Sequence, residues 1–155
     1  MANHKILFVC LGNICRSPVA EAVFAHLAEQ AGHGDRFELD SAGTGSWHVG
    51  NPPDPRSVAA AAARGVDLSD LRARQVSQQD FKMFDLILAM DAANHATLLA
   101  LAPQQYAEKI QFFLDDTPDS RQREVPDPYY GGEDGFEELL DLVEEGSRAL
   151  LARLT

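Results

Sequence analysis

A chain of 155 residues, 45% of them hydrophobic, is long enough to bury most of its apolar surface in one core, so one domain spanning residues 1–155 is expected. A formal charge of −11 argues against nucleic acid or an anionic membrane as partner, and no run of eighteen apolar residues offers a transmembrane helix. The two cysteines lie close together in one loop and do not form a secreted disulfide framework, which points to the cytoplasm.

Met1–Lys5 leads straight into the first predicted strand, Ile6–Val9, with no signal segment expected ahead of it. Ser17 and Pro18 predict a helix start, Ser17 as N-cap and Pro18 at the first helical position, and the helix runs to about Gly32. Val19, Ala22, Val23, Phe24 and Leu27 form its apolar face. Phe37–Ala42 alternates as a second strand, and Gly43–Pro53 is a loop that carries the only tryptophan, Trp47. A second helix starts near Asp54-Pro55 and runs to Gly65, its alanines expected to pack closely on a sheet. Val66–Gln79 is connection, with Ser77 as N-cap of a short turn before Phe84. Asp85–Met90 is apolar along most of its length, as a parallel strand covered on both faces would be. Helix Ala92–Ala102, strand Lys109–Leu114, a long polar loop Asp115–Gly132 and helix Glu133–Leu154 complete the chain. This alternation predicts an α/β fold: a four-stranded parallel sheet with helices on both faces and an N-terminal phosphate-binding loop.

That loop is Cys10-Leu11-Gly12-Asn13-Ile14-Cys15-Arg16-Ser17. A strand, a tight loop and a helix N-terminus aim several N–H groups and the helix dipole at one enclosed point. Gly12 and Asn13 are the residues expected to take the positive φ that such a loop needs. Cys10, close to Arg16, the loop N–H groups and the Ser17 hydroxyl, is expected to be a thiolate at neutral pH. The Arg16 guanidinium matches two oxygens of a phosphoryl group. A nucleophile and an oxyanion clamp in one loop describe covalent phosphoryl transfer. In the long loop, Pro126-Asp127-Pro128-Tyr129-Tyr130 stiffens an acid between two prolines and follows it with two aromatic rings that could wall a phenyl group.

These two stretches resemble the low-molecular-weight protein tyrosine phosphatases, with their C-x5-R-[ST] loop and D-P-Y segment. Asp40-Ser41-Ala42-Gly43, Val49-Gly50, Asp54-Pro55-Arg56, Ala73-Arg74-Gln75-Val76 and Ala89-Met90-Asp91 extend the resemblance over nearly the whole chain. The resemblance implies that Cys10 is the nucleophile, Arg16 the phosphate clamp and Asp127 the general acid and base. Leu11, Gly12, Asn13, Ile14, Cys15 and Ser17 would surround the phosphate, and Trp47, Tyr129 and Tyr130 the phenyl ring. Asn13 would hold the loop's left-handed turn, supported by Ser41, and Ser17 would bond the thiolate. Leu71 stands where many members have a histidine tied to this network, so the loop is expected to be held less tightly here.

The implied reaction is two-step hydrolysis of protein phosphotyrosine through a cysteinyl phosphate, with no cofactor and no metal. Cys-x4-Cys lacks a second ligand pair, and the five histidines show no H-x3–5-H spacing. Cys15 reads either as a small buried residue or as a resolving thiol that closes a disulfide on oxidised Cys10. His48, beside Trp47, is placed to touch substrate. The implied partners are phosphotyrosine-containing proteins, with the chain a monomer that self-associates weakly at most. Arsenate reductases on this fold use cysteines beyond Cys10 and Cys15. Phosphoarginine phosphatases carry a small polar residue where Ile14 stands. A phosphate-binding module without turnover would lack Cys10, Arg16 or Asp127.

Overall fold

The first strand, β1 (His4–Cys10), has no solvent contact from Ile6 to Val9. A strand buried on both faces is the central strand of a parallel sheet. β1 lies between β2 (Phe37–Gly43) and β3 (Leu86–Ala89), and β3 pairs with β4 (Ile110–Phe112), giving the order β2-β1-β3-β4 with every pair parallel. The expected sheet is therefore present, in a computed structural model that describes residues 4–117, 124–128 and 134–155.

Alternation along β1 divides the core in two. Ile6 and Phe8 face Val19, Val23 and Phe24 of α1 (Arg16–Gln30) and Leu139, Leu140, Val143 and Leu150 of α5 (Asp134–Leu154). Leu7 and Val9 face Phe81 of α3 (Gln78–Met83) and Leu98 of α4 (Ala92–Leu101). The helices cover both faces. The chain leaves β1 toward β2 on one side and returns across it to β3 on the other. In such sheets that reversal opens a crevice at the carboxyl end of the central strand, and Cys10 is the last residue of β1.

The structure corrects several boundaries. The first helix begins at Arg16 with Cys15 as N-cap, and no side chain caps it. Ser17, expected as the cap, sits inside the helix because its hydroxyl is engaged by the loop. The alanine-rich helix α2 (Pro55–Ala62) packs against α5 rather than on the sheet, with Ser57 and Ala61 as its buried residues. The turn at Ser77 is the start of α3, closed by a capping box with Asp80. The fourth strand stops at Phe112, and Phe113–Asp116 coils into a 3-10 turn. Tyr129 and Tyr130 lie outside the described residues. Among those described, no helix is long and apolar enough to cross a membrane.

Close packing explains a glycine inside α5. A Cβ on Gly146 would lie 2.6 Å from the Phe113 ring and 3.0 Å from Leu114, and Phe113 is almost fully buried among the β1 and α5 side chains. Alanine would gain about 1 kcal/mol of helix propensity, but overpacking a filled core costs roughly 1–3 kcal/mol. Gly146→Ala is expected to lower the urea midpoint of unfolding at unchanged m-value. A raised midpoint would show that the ring has room to yield.

Candidate active site

The loop from β1 to α1 is built around Asn13. It is the one described non-glycine residue at positive φ, 58°, a conformation that costs roughly 1–2 kcal/mol for most residues and is tolerated best by Asn. Gly12, also expected there, does not adopt it. Instead its bare Cα seats the His48 ring, which would stand 2.9 Å from an added Cβ. The Asn13 side chain is buried and bonded at both ends. Its Nδ2 donates to Ser17 Oγ (2.8 Å) and Ser41 Oγ (2.9 Å), and its Oδ1 accepts the Arg74 backbone N–H (2.9 Å). Arg74 reaches it because the chain beside Gln75 pairs with the end of β2: Gly43 N–H donates to Arg74 O and Val76 N–H to Gly43 O, each at 2.8 Å.

The same turn brings donors to sulfur. The Asn13 backbone N–H lies 3.3 Å from Cys10 Sγ, and Ser17 Oγ lies 3.0 Å from it. Ser17 Oγ already accepts from Asn13, so its own hydrogen is free for the sulfur; its other acceptor, Ala42 O, is at 3.4 Å.

Arg16 is 2% exposed. Its Nη1 donates to Asp91 Oδ2 at 2.6 Å and to Val125 O at 3.1 Å, and its Nη2 lies 3.6 Å from Asp127 Oδ2. Burial alone would lower its pKa, but Cys10, Asp91 and Asp127 outweigh it and the value is raised. The buried Nε has no partner, so a donor is reserved in the guanidinium. Asp91 also caps α4, its Oδ1 accepting the Asn94 N–H at 2.7 Å, and so fixes the guanidinium to a helix start. Val125 is fully buried and its N–H donates to Met90 O at 2.7 Å. Two residues later, Asp127 is thereby anchored over the loop.

These residues enclose a cleft of about 330 Å³ lined by Cys10, Leu11, Ile14, Arg16, Trp47 and Asp127, with Gly12, Cys15 and His48 completing it. Leu11 and Trp47 are exposed at its mouth, and Trp47 leans across Gly45. Cys15 is buried behind the loop; burial, and then the Asp54 carboxylate, push its thiol up to about 12. Asp54 also holds the loop from outside, its N–H donating to Ile14 O at 2.8 Å.

The structure thus brings together Cys10, Leu11, Gly12, Asn13, Ile14, Cys15, Arg16, Ser17, Ser41, Trp47 and Asp127. Sequence reasoning assigned no role to Asp91, Val125 or Gly43. Asp91 carried a signal, an aspartate between a predicted strand and helix in the N-cap position. Gly43 carried a weaker one, at the end of the second strand.

A family model described as low molecular weight phosphotyrosine protein phosphatase matches residues 5–155. The chain is 46% identical over 150 residues to the low molecular weight protein-tyrosine-phosphatase YfkJ of Bacillus subtilis, covering 97% of this chain and 95% of that one. It is 39% identical over 153 residues to the human low molecular weight phosphotyrosine protein phosphatase, covering 98% and 96%. A crystal structure of a protein tyrosine phosphatase from Entamoeba histolytica, with Hepes in its active site, superposes with a TM-score of 0.93 at 44% identity, covering 97% of this chain and 96% of that one.

Gly43 gives a direct probe of loop closure. A Cβ there would meet Leu11 O at 2.7 Å and the Gly12 and Asn13 backbone at 3.1 and 3.2 Å, and backbone cannot swing aside. Gly43→Ala is expected to weaken inorganic phosphate binding by roughly tenfold or more, the worth of one charge-assisted hydrogen bond. Calorimetric titration measures this, and an unchanged affinity would mean that the loop moves without cost.

Proposed function

The chain belongs to the low molecular weight phosphotyrosine protein phosphatase family, and from that premise we propose that it hydrolyses protein phosphotyrosine through a phosphate carried on Cys10. The observation that carries this reading is the placement of a thiol and a buried guanidinium at the two ends of one five-residue loop, with Asp127 across the cleft 3.6 Å from Arg16.

The dianion enters with its phosphorus in line with Cys10 Sγ. Arg16, through its Nε and outer nitrogen, and the loop N–H groups take the three equatorial oxygens, where charge gathers in the transition state. The sulfur displaces the tyrosine oxygen, and Asp127 gives that oxygen its proton. A water then attacks the cysteinyl phosphate while Asp127, now a carboxylate, takes the water's proton. Inorganic phosphate leaves, the Cys10 thiolate is restored, and Asp127 is again protonated. One acid serves both steps because the second reverses the proton flow of the first. Asp91 and Val125 act as positioning residues for the guanidinium. Ser17 and the Asn13 N–H stabilise the sulfur when phosphate departs from it.

The lining of the cleft supports an aryl ester. Leu11, Ile14 and Trp47 present apolar surface beside the reacting sulfur, which suits a phenyl ring better than a guanidino group. Tyr129 and Tyr130 are assigned to the same rim. Cys15 is the resolving thiol: peroxide converts Cys10 to a sulfenic acid, the Cys15 S–H condenses with it, water leaves and a disulfide forms. Both cysteines are free thiols. The same reading takes the enzyme to work as a monomer that self-associates weakly at most, in a reducing compartment such as the cytoplasm.

Cys10→Ser is expected to abolish turnover of phosphotyrosine peptide while leaving phosphate binding. Asp127→Asn should cost about 10²–10⁴-fold in kcat, and less with aryl phosphates whose leaving group is already a weak base. Both are read from initial rates in EDTA. Phosphotyrosine turnover by Cys10→Ser, or an Asp127→Asn deficit that ignores the leaving group, would overturn these roles.

A further inference from the structure

Glu124 stands three residues before Asp127 and has no role in the chemistry above. Its Oε2 accepts the Ala92 N–H at 2.8 Å. Ala92 is the first residue of α4, and its N–H is one of the four that a helix start leaves without an intrahelical partner. Asp91, the N-cap, takes the Asn94 N–H, and α4 has no acidic residue in its own first turn. The segment that carries the acid therefore supplies a second carboxylate to this helix start, where the helix dipole favours negative charge.

Three consecutive residues at the β3–α4 junction are engaged in this way. Met90 O accepts the Val125 N–H at 2.7 Å, Asp91 Oδ2 accepts Arg16 Nη1 at 2.6 Å, and the Ala92 N–H donates to Glu124. Val125 makes two backbone bonds, to Met90 and to Arg16. Both come from one residue, so they fix its place better than the tilt of the segment. The contact between Arg16 Nη2 and Asp127 Oδ2, at 3.6 Å, is longer than a hydrogen bond and does not set that tilt. Glu124 adds a second point of attachment, and Pro126 and Pro128 stiffen the backbone on either side of Asp127.

We infer that Glu124 is a positioning residue for the acid: by bonding the first N–H of α4 it holds the Asp127 carboxyl within reach of the departing tyrosine oxygen. The inference rests on the reading of Asp127 as general acid. Proton transfer requires the acid within hydrogen-bond reach of that oxygen, and a small misplacement is costly. Arg16, Asp91 and Val125 stay bonded to one another without Glu124, so phosphate binding does not depend on it. Glu124 is exposed, and truncating it removes a tether without opening the core.

The test uses kcat/KM, which covers the steps up to the cysteinyl phosphate, where Asp127 gives its proton. Glu124→Ala is expected to lower kcat/KM for phenyl phosphate by about three- to tenfold, the effect of losing a helix cap. The deficit should shrink toward unity with nitrophenyl phosphate, whose leaving group needs little help from an acid. Glu124→Gln, which keeps an acceptor at the same reach, should restore most of the rate. In an Asp127→Asn background Glu124→Ala should cost nothing further. Inorganic phosphate affinity should be unchanged, and amide hydrogen exchange at Val125, followed by NMR, should quicken in Glu124→Ala. With Asp127→Asn impaired on phenyl phosphate as expected, no deficit in Glu124→Ala, a deficit equal for all leaving groups, or one that persists without Asp127 would overturn the inference. Unchanged exchange at Val125 or a loss of phosphate affinity would overturn it too. If exchange at Val125 quickens while Asp127→Asn is as active as wild type on phenyl phosphate, the tether stands and the reading of Asp127 as acid falls.

Discussion

The site depends on one residue held in a backbone conformation it would not choose alone. Asn13 turns the chain back at φ 58°, and that turn lets a loop of five residues join the end of β1 to the start of α1. A left-handed residue costs roughly 1–2 kcal/mol. Three hydrogen bonds to its side chain, two buried and one partly buried, worth about 1 kcal/mol each, offset that cost. The partners come from three separate places: Ser17 on α1, Ser41 on β2 and the Arg74 backbone beyond α2. The loop is therefore closed by the sheet and not by its own sequence, and Gly43 leaves the gap through which the sheet can approach it.

The second constraint is electrostatic. A chain of net charge −11 must collect a phosphate dianion, so its positive potential has to be local. Burying one guanidinium under the loop does this. Desolvation of Arg16 is compensated by Asp91 at 2.6 Å and by Val125 O, yet the buried Nε is left without a partner. Asp91 neutralises part of the charge and fixes its direction; the unbonded donor is left for the proposed phosphate. Because Val125 also anchors the segment that carries Asp127, the clamp and the acid are positioned by one set of contacts.

What the sequence disclosed follows from how local each feature is. The proposed nucleophile, loop and clamp occupy one continuous stretch after an apolar strand, and that full string, more than its C-x5-R spacing, pointed to a phosphate site. The parallel sheet was legible because β1 and β3 are apolar on both faces. Asp127 stood out as a candidate acid only in company with the phosphate loop, since an acid between two prolines is usually a turn. The partners of Arg16 lie 75 and 109 residues away in the chain, and no spacing rule reaches that far. Ser17 shows a local rule losing to tertiary structure: a serine before a proline predicts a cap, but Asn13 and Cys10 claim its hydroxyl. The slackening expected from Leu71 does not show in the hydrogen bonds of Asn13. Asn13 keeps its bonds to Ser17, Ser41 and Arg74, while Leu71 borders a separate cavity that Glu21 also lines.

The claim on which the account turns is that phosphate is carried by the sulfur of Cys10. Rapid quenching during turnover of a labelled phosphotyrosine peptide, followed by peptide mapping and phosphorus NMR of the trapped enzyme, tests it directly. The account predicts a phosphorothiolate on the peptide containing Cys10, formed at the rate of tyrosine release and discharged at the rate of phosphate release. Turnover with no phosphorylated enzyme, or with the label on any residue other than Cys10, would contradict it.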